Sequence, residues 1–438
     1  MLASAVTPAM LTLALVTNGV VAGSPGDLDQ TFGGDGTVEI ARPDGIFGDD
    51  IVVASARAPG GGLWAGSNIY DPSRGGVILL ARLLEDGSLD SRFADSGRLV
   101  FSLREGDHAA TQFASVAAAP HGGVQLSGAW YARDATRQVF VARFLRTGEL
   151  DRSYGSGGIT TWPYPARGAS TDVVSAPAWG ASTSSDGSQL LCAMSFGGKK
   201  AHVWRARPDG SKDADFGHEG SVVVRNRHDG NVLQGCGQSP ADGATLLITN
   251  DSPTLELIRL SSDGEPDDGF GEHGYVFYRT PQNVSARSPA FLPDGGLAIA
   301  GRALTDEGFR PSVLKLLPDG STDARYGNGD GLAVATAAEL AGSGDGTPYP
   351  TIGVGAHGEI VLAGRVVDSQ FDVGAFVAEF TRLGEPDVAF GTDGAVVNLF
   401  TEHDANPTSA FFDAQRRVVV GATSGRYMHA SEVARLLN

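Results

Sequence analysis

The chain carries seven copies of one phrase, and the first copy reads Gly26-Asp27-Leu28-Asp29-Gln30-Thr31-Phe32-Gly33-Gly34-Asp35-Gly36. In each copy an aromatic residue follows the central Asp by three positions. The central Asp residues, 54 to 64 positions apart, are Asp29, Asp90, Asp151, Asp213, Asp267, Asp323 and Asp387. The aromatic residues are Phe32, Phe93, Tyr154, Phe216, Phe270, Tyr326 and Phe390. A repeat that fills the chain predicts one repeat architecture rather than two or three separate domains.

Each repeat is patterned as short strands and tight turns. The fifth repeat predicts strands over 288–292, 297–301, 312–317 and 331–335, separated by the turn sequences Pro293-Asp294-Gly295-Gly296 and Pro318-Asp319-Gly320. In such turns Asp starts the turn and Gly takes the positive φ. Four antiparallel strands in each of seven repeats predict a seven-bladed β-propeller.

The two ends of the repeat array are complementary. The first copy leads directly into a predicted strand over 36–40, and the last predicted strand, over 433–437, is only the third of its blade. We therefore expect the N-terminal strand to complete the last blade and to cover its open edge.

The phrase resembles the delta-60 repeat of bacterial secreted and surface proteins. The resemblance rests on the phrase, on preceding strands such as Ala81-Arg82-Leu83, and on the following Pro-Asp-Gly turns, and it covers about residues 26–438. It implies a β-propeller repeat fold and very little about activity. The copies depart from the pattern at Ala94, Lys212, Pro266, Thr322 and Pro386.

Residues 1–22 are uncharged and largely apolar, which predicts a signal peptide and a mature propeller over 23–438. A permanent membrane anchor is the alternative, but Pro8, Asn18 and Gly19 interrupt the apolar run. We expect a protein that is periplasmic, displayed at the cell surface or secreted. Export permits a disulfide between Cys192 and Cys236, and two buried thiols are the other interpretation.

Charge limits the choice of partners. The net charge of −18 would repel nucleic acid and anionic lipid, so we expect neither as a partner. The mature chain is expected to be a monomer that is not embedded in a membrane.

The repeated Asp has a structural and a metal-binding interpretation. Its carboxylate can accept hydrogen bonds from the backbone N–H groups that follow, which closes an Asx turn and fixes the buried aromatic ring. Acidic, Gly-rich loops such as Asn328-Gly329-Asp330-Gly331 also resemble calcium loops. We favour the structural role and expect no cofactor, because one carboxylate in each turn is too few ligands for calcium.

Loop lengths predict two unlike faces. The short Asp-Gly turns and the phrases lie on one face, here called the turn face, and the long variable loops lie on the opposite loop face. The candidate ligand-binding aromatic residues of the loop face are Tyr70, Trp130, Tyr131, Trp162, Tyr164, Phe309, Phe371 and Tyr427. Such rings on a rigid scaffold suit a protein or glycan partner, whereas the simpler interpretation is that they fill gaps between blades. We favour a non-catalytic binding scaffold.

The alternative function is a metal-dependent hydrolase or lactonase-like enzyme with its site in the central channel. Such a metal needs several converging ligands, and the candidates are Asp50, His108 and Asp172.

Overall fold

The structure, a computed structural model, describes residues 23–42, 47–58, 61–104, 110–132, 136–164, 179–184, 186–194, 200–227, 232–239, 242–251, 254–279, 285–340, 350–367, 373–400, 405–424 and 430–438. The predicted signal peptide lies outside these residues. Within them the regular structure is 28 β-strands and two short 3-10 helices, Pro120–Gly122 and Ala338–Leu340, so the protein is all-β.

The described strands pair in sets of four, which we number as groups 1 to 7. Group 1 contains β2 (Phe47–Arg57), β3 (Leu63–Asp71), β4 (Gly75–Leu83) and β5 (Arg98–Phe101). Group 2 contains β6 (Ala110–Ala118), β7 (Val124–Tyr131), β8 (Arg137–Phe144) and β9 (Ile159–Pro163). Group 3 contains β10 (Trp179–Thr183), β11 (Gln189–Met194), β12 (Lys200–Ala206) and β13 (Ser221–Arg225). Group 4 contains β14 (Val232–Gln238), β15 (Thr245–Asp251), β16 (Thr254–Leu260) and β17 (Tyr275–Arg279).

The remaining groups follow the same plan. Group 5 contains β18 (Ser285–Phe291), β19 (Leu297–Thr305), β20 (Gly308–Leu316) and β21 (Leu332–Val334). Group 6 contains β22 (Thr351–Val354), β23 (Ile360–Val367), β24 (Val373–Phe380) and β25 (Ala395–Val397). Group 7 contains β26 (Asn406–Phe412), β27 (Val418–Ser424), β28 (Ala430–Leu436) and β1 (Thr37–Glu39).

Neighbouring strands within each group are antiparallel. A single parallel pair, Gly76 with Ala110, joins groups 1 and 2 into one eight-stranded sheet, and the other groups are separate sheets. In group 5 the middle strands are longer than the sequence predicts, because β19 and β20 continue into a tight hairpin in which Thr305 pairs with Gly308.

The N-terminal strand is the outermost strand of group 7. β1 pairs with β28 in a register that places Thr37 opposite Ala434 and Glu39 opposite Glu432. The backbone N–H of Ile40 extends this pairing by donating to the carbonyl of Ser431. The strand that the sequence assigns to the last blade is therefore paired there.

The core lies between the sheets. In the described part of the chain, a cluster of buried apolar side chains fills the space between each group and the next. A further cluster contains Val419 and Val433 of group 7 together with Leu63 and Val77 of group 1. The first strands of successive groups also contact each other, and β26 contacts β2. Each sheet is therefore covered on both faces by its neighbours.

Candidate functional site

The repeated Asp closes an Asx turn in all seven copies. Its Oδ1 accepts a hydrogen bond from the backbone N–H two residues later at 2.9 to 3.2 Å. The aromatic residue of every copy is at most 1% exposed. These are the contacts that the structural interpretation of the phrase requires.

A basic side chain of the third strand pairs with this Asp in six groups. The Nε atoms of five arginines lie 2.6 to 3.0 Å from an Asp Oδ2, in the pairs Arg82–Asp90, Arg143–Asp151, Arg205–Asp213, Arg259–Asp267 and Arg435–Asp29. Lys315 lies 3.3 Å from Asp323. Our sequence interpretation missed these pairs, although a basic residue eight positions before the Asp was a visible signal in five copies.

The same arginines connect neighbouring groups. Their other guanidinium nitrogens donate to carbonyls of the next group at 2.5 to 3.2 Å, and these carbonyls belong to Gly122, Pro208, Ser262, Pro318 and Glu85. Several guanidinium groups also lie over the buried aromatic ring, such as Arg205 at 4.3 Å from the ring centre of Phe216. The repeated carboxylates and these arginines of the turn face are therefore used in structural contacts.

Arginines two positions after the repeated Asp lower the pKa of two of these carboxylates. Hydrogen bonds from Arg92 lower the pKa of Asp90 to about 2, although burial opposes the shift. Arg325 has the same effect on Asp323, whose pKa is also about 2.

Cys192 and Cys236 are joined by a disulfide, with their Cα atoms 6.4 Å apart. Cys192 lies in β11 and Cys236 in β14, so the bond connects group 3 to group 4. Both residues are also part of the apolar cluster between these groups.

Three of the predicted loop-face aromatic residues are buried, which corrects their assignment to a binding surface. Trp130, Trp162 and Tyr164 are 1%, 2% and 7% exposed. Trp162 Nε1 donates to the carbonyl of Glu219 at 3.3 Å, and Tyr164 Oη donates to the carbonyl of Met194 at 2.7 Å. These two rings fill the gap between groups 2 and 3, because both acceptors belong to group 3.

The other predicted aromatic residues differ in position. Tyr70 is 48% exposed near the end of β3, and Tyr131 and Phe309 are half-buried. The guanidinium of Arg302 lies 5.1 Å from the ring centre of Phe309. Phe371 and Tyr427 lie outside the described residues.

The structure describes little of the predicted channel metal site. His108 and Asp172 lie outside the described residues, and Asp50 is in β2 with its side chain outside them. Among the described side chains, no group of three or more His, Cys, Asp or Glu residues is placed to hold a metal ion.

The loop face carries an open groove of about 360 Å³ on group 5. Its walls are the hairpin between β19 and β20 and the segment after β21, and its lining residues are Thr305, Asp306, Glu307, Arg310, Val334, Ala335 and Thr336. Gly308 closes the hairpin with a φ of 98°, and Thr305 Oγ1 donates to its carbonyl at 2.8 Å. The hairpin is therefore held by local hydrogen bonds.

Arg310 fixes the floor of this groove. It is buried, and its Nη1 donates to the carbonyls of Ala335 and Ala337 at 3.0 and 2.9 Å. Its Nη2 pairs with the carboxylate of Glu307. The sequence placed this arginine in a variable loop and gave no sign of its role, because its partners are carbonyls of a different segment.

The rim of the groove offers free hydrogen-bond acceptors. Asp306 and Thr336 are exposed, and in the described part of the chain no cation lies within ion-pairing distance of the Asp306 carboxylate. A carboxylate, a hydroxyl and a fixed Glu–Arg pair on a rigid hairpin suit a ligand with several hydroxyl or amine donors. We call these residues the group 5 groove.

Comparisons with known proteins give no family for the chain. No family model and no curated protein match it. Similar solved structures include the Dos1 propeller, at 11% identity and a TM-score of 0.43, covering 94% of this chain and 95% of that chain. A neuraminidase-like protein of A/little yellow-shouldered bat/Guatemala/060/2010 is 12% identical with a TM-score of 0.42, covering 76% of this chain and 96% of that chain.

A third similar structure is NanB plus Optactamide, at 9% identity and a TM-score of 0.40, covering 91% of this chain and 70% of that chain. At these scores the likenesses carry no argument about what the chain binds. The described part of the chain also contains no helix with the length and hydropathy needed to cross a membrane.

Proposed function

We propose that the chain is a seven-bladed β-propeller of the delta-60 repeat type, exported from a bacterial cell. It acts there as a non-catalytic scaffold that binds a protein or glycan partner through its loop face. The groups are the blades in this proposal. The apolar clusters between successive groups, including groups 7 and 1, support the ring. The disulfide between Cys192 and Cys236 supports an oxidising compartment.

The observation that carries the binding role is the difference between the two faces. On the turn face the repeated carboxylates and guanidinium groups are used in Asx turns and in pairs between groups. On the loop face the group 5 groove presents Asp306 and Thr336 without such partners. Polar groups left free on a rigid hairpin are what recognition requires.

The chemistry of the groove favours a glycan over a protein as the partner. Sugar hydroxyls donate well to carboxylate oxygens such as those of Asp306. A groove of about 360 Å³ lies within the usual size range of small-ligand sites.

The test is binding of the purified chain, from Gly23 onward, to an array of bacterial and host glycans. We expect binding that Asp306→Asn weakens by at least about tenfold, because a hydrogen bond to a charged group is lost. Glu385→Gln is the matched control, since it removes an exposed carboxylate on a turn of the opposite face. Equal loss in both variants, or binding that Asp306→Asn leaves unchanged, would contradict the assignment to this groove.

If no glycan binds, the same variants are compared in pull-downs from culture supernatant and cell envelope. If retention of a captured protein depends on Asp306, the loop face remains the proposed binding surface and the partner is a protein instead of a glycan. Capture independent of Asp306 and of Tyr70 would argue against the loop face.

A further inference from the structure

A larger cavity, of about 510 Å³, lies on the turn face between groups 2 and 3. One wall is the phrase of group 2 with the start of β9, and the other is the turn between β12 and β13. Its polar lining residues include Ser156, Thr160, Thr161, Asp209, Ser211 and Lys212. The proposed loop-face function does not involve this cavity.

The equivalent junctions in four other groups are filled by valine. In groups 7, 3, 4 and 6 the second residue of the outermost strand is a valine, and these valines are Val38, Val222, Val276 and Val396. A Cβ placed on the turn glycine of the next group would come within 2.5 to 3.0 Å of the valine Cγ2, and these glycines are Gly87, Gly264, Gly320 and Gly26. In these four groups a valine methyl therefore lies against the turn glycine of the next group.

Group 2 has Thr160 at this position. Its Oγ1 donates to the carbonyl of Gly210 in the turn of group 3. Thr160 is buried, so a polar group takes the place of the methyl group at the floor of the cavity. This junction is consequently polar where the other four are apolar.

Lys212 is the one basic residue at its position in the seven phrases. The other copies have Leu28, Leu89, Leu150, Pro266, Thr322 and Pro386. Lys212 is half-buried, and its Nζ lies 5.9 Å from the ring centre of Trp162. Within the described residues no carboxylate is within ion-pairing distance of its ammonium group. The cavity therefore contains a cation that is available to an anion.

The remaining polar groups can serve hydroxyls. Asp209 Oδ1 is occupied, because the backbone N–H and the Oγ of Ser211 donate to it at 2.8 and 2.7 Å. Its other oxygen can accept, and the hydroxyls of Ser156 and Thr161 form no hydrogen bond within the described part of the chain. One free ammonium beside several hydroxyl partners fits a small anion that also carries hydroxyls.

We propose that this cavity binds an acidic sugar residue of the uronic acid class. The carboxylate of the sugar pairs with Lys212, and its hydroxyls contact Ser156, Thr161 and Asp209. The volume of the cavity is in the range of small-ligand sites. A protein of net charge −18 needs such a local cation to hold an anion.

The experiment is calorimetric titration of the mature chain with sodium glucuronate, and with glucose as the neutral counterpart. We expect glucuronate to bind and glucose to bind more weakly. Lys212→Gln should weaken glucuronate binding by at least about tenfold, because a charge-assisted contact is removed. Arg146→Gln is the matched control, since it removes one exposed positive charge from the turn of group 2 and leaves the cavity intact.

Thr160→Val is a second control that leaves the charge of the cavity unchanged. Valine has the same shape as threonine, and Thr160 Oγ1 already donates to the carbonyl of Gly210, so the cavity and glucuronate binding should both be retained. Asp306→Asn in the loop-face groove should leave glucuronate binding unchanged, which separates this site from the proposed function. Absence of binding by the wild-type chain at up to about 10 mM glucuronate, or equal binding by the Lys212→Gln variant, would overturn the proposal.

Discussion

At the scale of single residues, Glu379 stands where the other six groups have an arginine or a lysine. It is eight positions before Asp387 and is 1% exposed, and the Asn438 side chain donates to both of its oxygens at 3.1 Å. Burial is the main reason that the pKa of Glu379 is raised to about 7. Asp387 and Glu359 raise it further, while Asn438 and Arg416 oppose the shift.

The raised pKa predicts how stability changes with pH. The folded state holds the Glu379 proton up to about pH 7, whereas the unfolded chain releases it near its ordinary pKa of 4.5. The contribution is therefore fully present below pH 4.5 and is lost as the pH rises to about 7, a change of roughly 3 kcal/mol. Glu379→Gln should remove this decline, which is measured as Tm against pH for both chains. Parallel profiles between pH 4.5 and 7 would contradict the assignment.

The basic partner should decide how much each repeated Asp contributes. Asp90→Ala breaks the Asx turn and also leaves Arg82 buried without its carboxylate, so we expect a loss of about 3–5 kcal/mol. Asp387→Ala breaks the same turn beside Glu379, so only the cost of the turn is expected, about 1 kcal/mol. Urea unfolding of the two variants measures the difference. Equal losses would show that the ion pair adds nothing.

At the scale of strands, the contacts of the repeated phrase could be predicted from the sequence, whereas the positions of the loop aromatic residues could not. The Asp and the aromatic residue act within one turn, so their spacing in the sequence is enough to predict their contacts. The burial of Trp130 and Trp162 could not be read in this way. The sequence interpretation placed both in loops, but β7 continues through Trp130 and β9 includes Trp162. A residue in a strand points toward one neighbouring sheet or the other by alternation, so its burial can be predicted only when the strand is known to extend to it.

Contacts between different groups were equally impossible to predict from the sequence. Arg310 and Lys212 act on segments that are distant or belong to another group, and no local pattern signals such partners.

The disulfide should stabilise the contact between β11 and β14. Reduction opens a loop of 44 residues, which corresponds to about 2–4 kcal/mol in the unfolded-chain account. We expect a reducing agent to lower the Tm of the wild-type chain and to leave the double variant Cys192→Ala, Cys236→Ala unchanged. Calorimetry with and without the reducing agent measures both. An equal shift in the double variant would assign the effect to something other than this bond.

At the scale of the whole molecule, segments distant in sequence build one turn at group 7. In group 1 the backbone N–H of Leu84 donates to the carbonyl of Ser88, and in group 7 the N–H of Leu437 donates to the carbonyl of Asp27 at 2.9 Å. Pro25 accepts a hydrogen bond from Gly391 of group 6 at 2.9 Å. Residues 23–28 and 437–438 thus take the place that a continuous turn has in the other groups.

This arrangement predicts that the N-terminal segment stabilises the contact between groups 7 and 1. A chain without residues 1–40 loses Phe32, Val38 and Ile40 from the cluster between groups 7 and 1, and it leaves Arg435 without Asp29. Loss of the buried Phe32 ring and loss of the Asp29 partner of Arg435 are each expected to cost about 3–5 kcal/mol of unfolding free energy. The Tm of the chain without residues 1–40 should therefore lie at least about 5 °C below that of a chain without residues 1–22.

A synthetic peptide of residues 23–41 provides the control, because it can pair with β28 in place of the deleted segment. Its addition should raise the Tm of the shortened chain in a concentration-dependent way, since a ligand that binds only the folded state stabilises it by mass action. A peptide with Asp29→Ala should be less effective, because Arg435 then remains unpaired. If the shortened chain melts at the same temperature as the longer one, the sheets are stable without β1, and closure through the N-terminal strand is not what holds group 7 against group 1.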